Sequence, residues 1–300
     1  MAVTADRRIS GSVSGGCVEN AVVEAAVEVL ASGKARLLHF GVSDDAAWSV
    51  GLACGGSIDV FLEPLSEPLF EPLRAALRGE RPAAVATVIR GPEDRVGAKL
   101  AVFADGTAAG DMDEAALAAA RAALAAGAGG RVAMGESELF VDVLLPSPRL
   151  VIVGGVHIAI PLVTFAKTLG FRTILVDPRE AFGNAQRFPH ADEIVSEWPD
   201  RAIERLAPNA STAIAVLTHD PKLDDPALIA ALRSPAFYVG ALGSRRTHEK
   251  RRARLLAAGM TEAELSRLHA PIGLSLGGRS PEEIALSAIA QIVGVRSLKV

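Results

Sequence analysis

Two cysteines in this chain each stand beside a pair of glycines. Cys17 lies in Gly11-Ser12-Val13-Ser14-Gly15-Gly16-Cys17-Val18-Glu19, just before a helical pattern. Cys54 lies in Gly51-Leu52-Ala53-Cys54-Gly55-Gly56, just before a strand pattern. Turns built on Gly15, Gly16 and Gly55 can aim backbone N–H groups at an anion, and a helix N-terminus favours a thiolate. A thiolate at Cys17 or Cys54 is suited to nucleophilic attack, to carrying sulfur, or to ligating a soft metal ion. Glu19 is near enough in sequence to move a proton there. The plain alternative is two inert, buried cysteines. No cysteine–histidine–asparagine grouping indicates a protease.

A second set of candidates lies further on. Gly154-Gly155-Val156-His157-Ile158-Ala159 follows an apolar run, where a dinucleotide fingerprint belongs, and Asp177 ends the next apolar run, at the spacing of a ribose-binding carboxylate. Val156 stands where the middle glycine should be, which argues against ordinary NAD(P) binding. Thr218-His219-Asp220-Pro221-Lys222 places a titratable ring, an acceptor and a cation in one loop. Gly240-Ala241-Leu242-Gly243-Ser244-Arg245-Arg246-Thr247-His248 combines a tight turn, a helix cap and two guanidinium groups. A helix N-terminus with Arg245 and Arg246 suits a phosphate. The following Lys250, Arg251, Arg252 and Arg254 read as a solvated or interface face.

Alternating patterns say what must position these loops. In residues 1–146, helices are predicted over 18–31, 69–77 and 113–126, and strands over 35–40, 57–62, 83–89 and 99–103, with two more around Gly135. The stretch from Val3 resembles the stretch from Val102: strand, turn with Asp6 or Asp105, Gly11 or Gly110, helix, glycine, strand. An internal repeat is therefore expected. Its first copy lacks the strand and loop that precede Val102 in the second. Pro146 and Pro148 mark a linker. Residues 147–300 then alternate apolar strands with helices, which predicts a parallel sheet covered on both faces. The fold class is α/β: a C-terminal Rossmann-like domain over 147–300 and a smaller N-terminal α/β domain over 1–146.

Composition narrows the function. Half of the 300 residues are hydrophobic, aromatics are 4%, and the net charge of -4 gives no general attraction to nucleic acid or membranes. No apolar run reaches the roughly 18 residues of a membrane span, and the first ten residues show no secretory pattern. Two cysteines are too few for a disulfide framework or a four-cysteine metal site. A cytoplasmic location is expected.

Taken together, several stretches resemble the XdhC/CoxI family, maturation factors of molybdenum hydroxylases such as xanthine dehydrogenase and carbon monoxide dehydrogenase. They are GSVSGGCVE (11–19), GLACGG (51–56), LGFRTILVDPR (169–179), RFPHADEIVSEWP (187–199), LTHDPKLDDPAL (217–228), YVGALGSRRTHEKR (238–251) and HAPIGLSLGGRSPEEIALSAIAQIV (269–293). The resemblance implies two domains, the second Rossmann-like. It also implies binding of the molybdenum cofactor, and help with the cofactor's sulfuration and insertion into a client enzyme. Members of the family carry a further strand–loop segment ahead of GSVSGGCVE, which here follows Met1 closely.

The resulting expectation is a factor that holds molybdopterin or its dinucleotide form in passing, a maturation factor more than a turnover enzyme. Cys17 and Cys54 are the candidate molybdenum ligands or sulfur carriers. The cofactor's phosphate would sit near Gly154, Gly155 and His157, or near Gly243, Ser244, Arg245 and Arg246, with Asp177, His219 and Asp220 close by. A client hydroxylase is the implied partner. A cysteine desulfurase is the candidate sulfur donor, and a homodimer the candidate assembly. Two other readings stay open: an NAD(P)-dependent oxidoreductase and a non-catalytic assembly scaffold.

Overall fold

The computed structural model describes residues 1–41, 56–65 and 67–297. The chain divides into two compact units, Met1–Pro146 and Ser147–Val300.

In the N-terminal unit the repeat is visible in backbone register. The second copy opens with β5 (Ala83–Arg90), β6 (Lys99–Phe103) and β7 (Ala108–Gly110). It continues through α3 (Glu114–Ala126) to a hairpin of β8 (Gly130–Met134) and β9 (Ser137–Leu144). The first copy runs β1 (Ala2–Val3), β2 (Ile9–Ser10), α1 (Glu19–Ser32), β3 (Arg36–Phe40) and β4 (Ile58–Leu62). Ala2 pairs with Ser10 and Val3 with Ile9, as Ala101 pairs with Ala109 and Val102 with Ala108. Thr4 N donates to Arg8 O at 3.0 Å, as Phe103 N does to Thr107 O at 3.0 Å. Arg7 and Gly106 share the positive φ of this turn, at 63° and 85°. Both helices end at a left-handed glycine, Gly33 or Gly127.

The copies differ in one element. In the second, β5 is the central strand of a five-stranded antiparallel sheet, ordered β7-β6-β5-β9-β8. Its small side chains pack on both faces: Ala84, Ala86 and Val88 against α3, Ala83 and Val85 against Leu69 and Ala76 of α2 (Glu67–Arg78). Among the described residues the first copy has no such strand, so β1-β2 and β3-β4 remain separate two-stranded sheets.

The C-terminal unit is a parallel six-stranded sheet in the order β12-β11-β10-β13-β14-β15. Its strands are β10 (Arg149–Val153), β11 (Arg172–Val176), β12 (Glu193–Val195), β13 (Thr212–Val216), β14 (Tyr238–Ala241) and β15 (Leu268–His269). One face packs on α4 (Ala159–Thr168) and α9 (Pro281–Ser297). The other packs on α5 (Pro199–Leu206), α6 (Pro221–Arg233), α7 (Arg245–Ala257) and α8 (Glu262–Leu265). Burial on both faces explains why β10, β11, β13 and β14 read as unbroken apolar runs. Thr261 and Glu264 close a reciprocal cap on α8, and Ser280 with Glu283 caps α9 in the same way. Among the described residues no helix is long and apolar enough to cross a membrane.

The repeat makes a comparative prediction. At Gly110, φ is +106° and a Cβ would collide with the backbone of Lys99. At Gly11, φ is +82° and a Cβ would meet Met1 Cα at 3.4 Å and Met1 N at 3.8 Å, both ordinary contacts. Gly110→Ala should therefore cost about 3 kcal/mol or more and Gly11→Ala about 1 kcal/mol, the left-handed penalty alone. Urea denaturation of the two variants checks this, and equal losses would contradict it.

Candidate functional site

The carboxyl ends of β13 and β14 lie side by side, and the loops that follow them build one pocket. Its volume is about 300 Å³, and its lining includes His219, Pro221, Asp224, Arg246, Thr247, Lys250, Arg251 and Arg254. A loop at a strand's carboxyl end, meeting a helix N-terminus, is the usual ligand position in a parallel α/β sheet. A larger concavity of about 630 Å³ lies between α5 and α6, lined by Ile203, Pro226 and Ile229 among others. It opens at the amino end of β13 and β14, away from these loops.

The pocket is organised from beneath by a buried ion pair. Asp224, on the first turn of α6, and Arg251, on α7, are both about 2% exposed at the side chain and meet at 3.0 Å. Asp224 also accepts from Thr218 Oγ1 at 2.6 Å, and Arg251 Nη2 donates to the Leu242 carbonyl at 2.9 Å. Nε and Nη1 of Arg251 are buried without a partner. These two nitrogens carry three N–H groups on a residue that lines the pocket, so the guanidinium keeps unspent capacity for an acceptor oxygen. Gly243, at φ +148°, lets the loop lie on this group, since a Cβ there would stand 3.6 Å from Arg251 Nη1. His248 is held below the ordinary histidine range by burial and by the neighbouring charges of Arg251 and Arg252, so it adds no cation at neutral pH.

The remaining loop residues divide by role. His219 is exposed at the pocket with φ 62°, a left-handed conformation that costs a non-glycine residue about 1–2 kcal/mol. It is held there by Asp220 N donating to Thr218 Oγ1 at 3.1 Å. Asp220 caps α6 through Lys222 N, and Ser244 caps α7 through Thr247 N. Arg246 lines the pocket and Arg254 is paired with Asp225. Arg245 is exposed on the first turn of α7. The reading of Lys250, Arg251, Arg252 and Arg254 as a solvated or interface face fails at Arg251, which is buried within this unit. The stripe Thr247–Arg251–Leu255, at helical spacing, was the available signal.

The Gly154-Gly155 turn follows β10, beside the loop after β13. A Cβ on Gly154 would lie 2.6 Å from Thr218 Cγ2, and one on Gly155 would run into the Phe182 carbonyl. Gly155 N donates to Asp177 Oδ2 at 2.8 Å, and Arg187 Nη1 donates to the Gly155 carbonyl at 2.7 Å. Asp177 is fully buried and also accepts from Arg179 N, Nε and Nη2. Burial pushes its carboxyl up, but the Arg179 guanidinium and the Gly155 amide outweigh this and hold it below the usual range. Both oxygens are thus occupied inside the protein rather than presented to a ribose. His157 is exposed at the start of α4.

In the N-terminal unit, the loop ahead of α1 wraps around Glu19. Its carboxylate accepts from the backbone N–H groups of Val13, Ser14, Gly15, Gly16 and Val18, and from the Ser14 hydroxyl. Hydrogen bonds from the Ser12 and Ser14 hydroxyls, then from the backbone, hold its pKa far below the carboxylate range. The loop does form an anion nest, as its glycines suggest, but Glu19 fills it. A carboxylate so bound stays ionised, which removes the proton-transfer role expected of it. Cys17 is half-buried beside Val18, Val22 and Val60, with its amide donating to Ser14 Oγ at 3.0 Å. Cys54 and Gly55 lie outside the described residues. Among the described residues no cluster of three His, Cys, Asp or Glu side chains is arranged for a metal ion.

Residues 150–292 match the XdhC Rossmann domain, and residues 1–41 match the XdhC and CoxI family. The chain belongs to the XdhC/CoxI family. It is 28% identical over 305 residues to a molybdenum cofactor insertion chaperone of Escherichia coli, PaoD, covering 99% of this chain and 77% of that one. It is 30% identical over 160 residues to a probable xanthine dehydrogenase subunit of Bacillus subtilis, covering 53% of this chain. The match spans 46% of that relative's length, and 40% of an uncharacterised Escherichia coli relative, YqeB. A solved structure described as a xanthine dehydrogenase of Bacillus halodurans superposes with a TM-score of 0.80 at 25% identity, covering 99% of this chain and 86% of that one. The XdhC/CoxI fold is thus matched across nearly the whole chain.

Two outcomes follow from the geometry. NAD and NADP should bind no tighter than about 1 mM, roughly 4 kcal/mol, because Val156 and the committed Gly155 amide leave no seat for pyrophosphate. Calorimetric binding at low micromolar concentration would revive the oxidoreductase reading. For Glu19, the folded pKa lies below the unfolded one, so its hold on the loop is complete above about pH 4.3 and is lost only as pH falls through the lowered value. Amide exchange of residues 13–18 should stay slow at pH 4, and Glu19→Gln should accelerate it roughly tenfold at pH 7. Loss of protection at pH 4 would contradict this.

Proposed function

We propose that this chain is an accessory factor that holds the molybdenum cofactor while it is sulfurated and inserted into a molybdenum hydroxylase. The observation that carries the reading is the pocket at the ends of β13 and β14. There the unpartnered N–H groups of Arg251, with Arg246 and Lys250, form a seat for a phosphate group. Both molybdopterin and its dinucleotide form carry phosphate, so the donor set fits either cargo. Names of relatives support the same reading: one is a molybdenum cofactor insertion chaperone and another a probable xanthine dehydrogenase subunit.

The sulfur side of the reading rests on the thiols of Cys17 and Cys54. Thiolates are suited to ligating molybdenum, where carboxylate and imidazole alone are not. A thiolate can also take a sulfane sulfur from a desulfurase persulfide, with the donor's thiolate as leaving group. Cys17 has the better-defined setting, at the entry to α1.

The experiment is purification from a molybdenum-replete host, followed by mass spectrometry of the bound pterin and titration of variants. Arg246→Ala combined with Lys250→Ala should weaken cofactor binding about 10- to 100-fold, the loss of one or two charge-assisted hydrogen bonds. Cys17→Ser and Cys54→Ser should keep binding and lose client sulfuration. No co-purified pterin and unchanged titrations would sink the cofactor reading. Full client activation without the thiols and the cationic pocket would favour a surface scaffold.

A further inference from the structure

Away from the phosphate pocket, α5 and α6 pack side by side and leave a groove between them of about 630 Å³. Much of its lining is apolar. Ile203 of α5 is buried, and Pro226, Ile229 and Ala230 of α6 are half-buried. Pro208 and Pro235, just beyond the two helices, stiffen its walls, so a partner has little to order on arrival. The polar groups are unevenly spent. Asp200 and Glu204 stand one turn apart on α5 and line the groove together. Among the described residues neither carboxylate has an ion-pair partner. Arg233, the cation in the lining, is taken up by Glu264 at 3.3 Å. Arg201 and Arg205 of α5 lie outside the lining, and Arg205 pairs with Glu197 at 3.1 Å. The main chain at the helix ends is also committed. Arg149 donates to the Leu206 and Ala207 carbonyls, each at 3.0 Å, and Arg267 donates to the Leu232 and Ser234 carbonyls. Among the described residues no strand residue lines the groove.

From this combination we infer that the groove docks an amphipathic helix of a partner protein, one that carries Lys or Arg at i and i+4 beside an apolar stripe. Charge complementarity specifies the occupant. Two unbalanced carboxylates one turn apart match two cations one turn apart on the incoming helix. The apolar stripe of that helix covers Ile203, Ile229 and Ala230. An extended segment is disfavoured, because strand addition needs free main-chain groups and the carbonyls at the ends of α5 and α6 are already taken. Placing both carboxylates on the α5 wall also fixes which flank of the incoming helix faces that wall. The phosphate pocket lies at the carboxyl ends of β13 and β14, whereas this groove reaches their amino ends. A partner held here leaves that pocket open. The inference does not depend on the identity of the cargo.

The test uses the full chain and a fluorescent synthetic helix of about 15 residues, four turns long, with a leucine stripe flanked by lysines at i and i+4. Anisotropy should show saturable binding at micromolar concentration. Hydrogen exchange should slow only within residues 200–208 and 226–235. Asp200→Asn combined with Glu204→Gln should weaken binding about tenfold, the loss of two surface ion pairs. Both substitutions lie on accessible side chains, and the melting temperature of the variant serves as the folding control. A probe with glutamates in place of the lysines should bind at least about tenfold more weakly, by the same two pairs made repulsive. Four results would overturn the proposal. One is no saturable binding at millimolar probe. Another is equal binding of a probe whose leucines and lysines are scrambled, meaning that charge alone attracts it. The third is unchanged affinity in the carboxylate variant, or protection elsewhere on the chain. The fourth is protection of these residues without probe, together with dimer mass in sedimentation, meaning that a second copy fills the groove.

Discussion

Much of the C-terminal unit's chemistry hangs on the Asp224 carboxylate. It joins the loop after β13 through Thr218, and the loop after β14 through Arg251 and the Leu242 carbonyl. A carboxylate and a guanidinium buried to this degree are tolerable only if nearly every donor and acceptor is satisfied. Asp224 meets that condition. Arg251 does not, since two of its nitrogen atoms stay unpartnered. The protein thus holds a half-satisfied cation among the residues that line a pocket. Removing Asp224 would leave that cation uncompensated, which typically costs 3–5 kcal/mol.

The two candidate phosphate seats of this fold differ in the same respect. At Gly155 the amide is taken by Asp177 and the carbonyl by Arg187, and the space over the Cα atoms of Gly154 and Gly155 is taken by Thr218 and Phe182. These glycines serve close packing of the protein on itself. The loop after β14 is the reverse case. Gly243 brings the backbone against a guanidinium that still has capacity to bind. A turn of dinucleotide-binding appearance serves as a structural joint, while the loop after β14 keeps unspent hydrogen-bonding capacity.

The N-terminal unit shows a related division of labour. Its anion nest is closed by Glu19, so the glycines around Cys17 shape the loop that delivers the thiol to the start of α1. The second repeat copy, built on the same hairpin and helix, carries no cysteine and completes its sheet with β5. One copy is a closed scaffold. The other keeps the thiol, and among its described residues forms two separate two-stranded sheets.

The sequence alone determined the elements and their class. Unbroken apolar strands between amphipathic helices required a parallel sheet buried on both faces, and the paired spacing of Asp6 with Asp105 and Gly11 with Gly110 disclosed the repeat. It also placed the loops that follow β13 and β14 at one edge of the sheet, because strand–loop–helix order fixes which end of a parallel sheet they leave. Partnership was left to tertiary structure. Asp177 and Glu19 looked like free carboxylates, since spacing alone does not show that Arg179 will turn back on Asp177 together with the Gly155 amide twenty-two residues away, or that the loop before α1 will fold around Glu19. Arg251 looked solvated within a cationic run, since its burial depends on Asp224 being carried to it by another helix. Residue type and spacing fix what a group can do. Which neighbours arrive by long-range packing decides whether its hydrogen-bonding capacity is spent or left open.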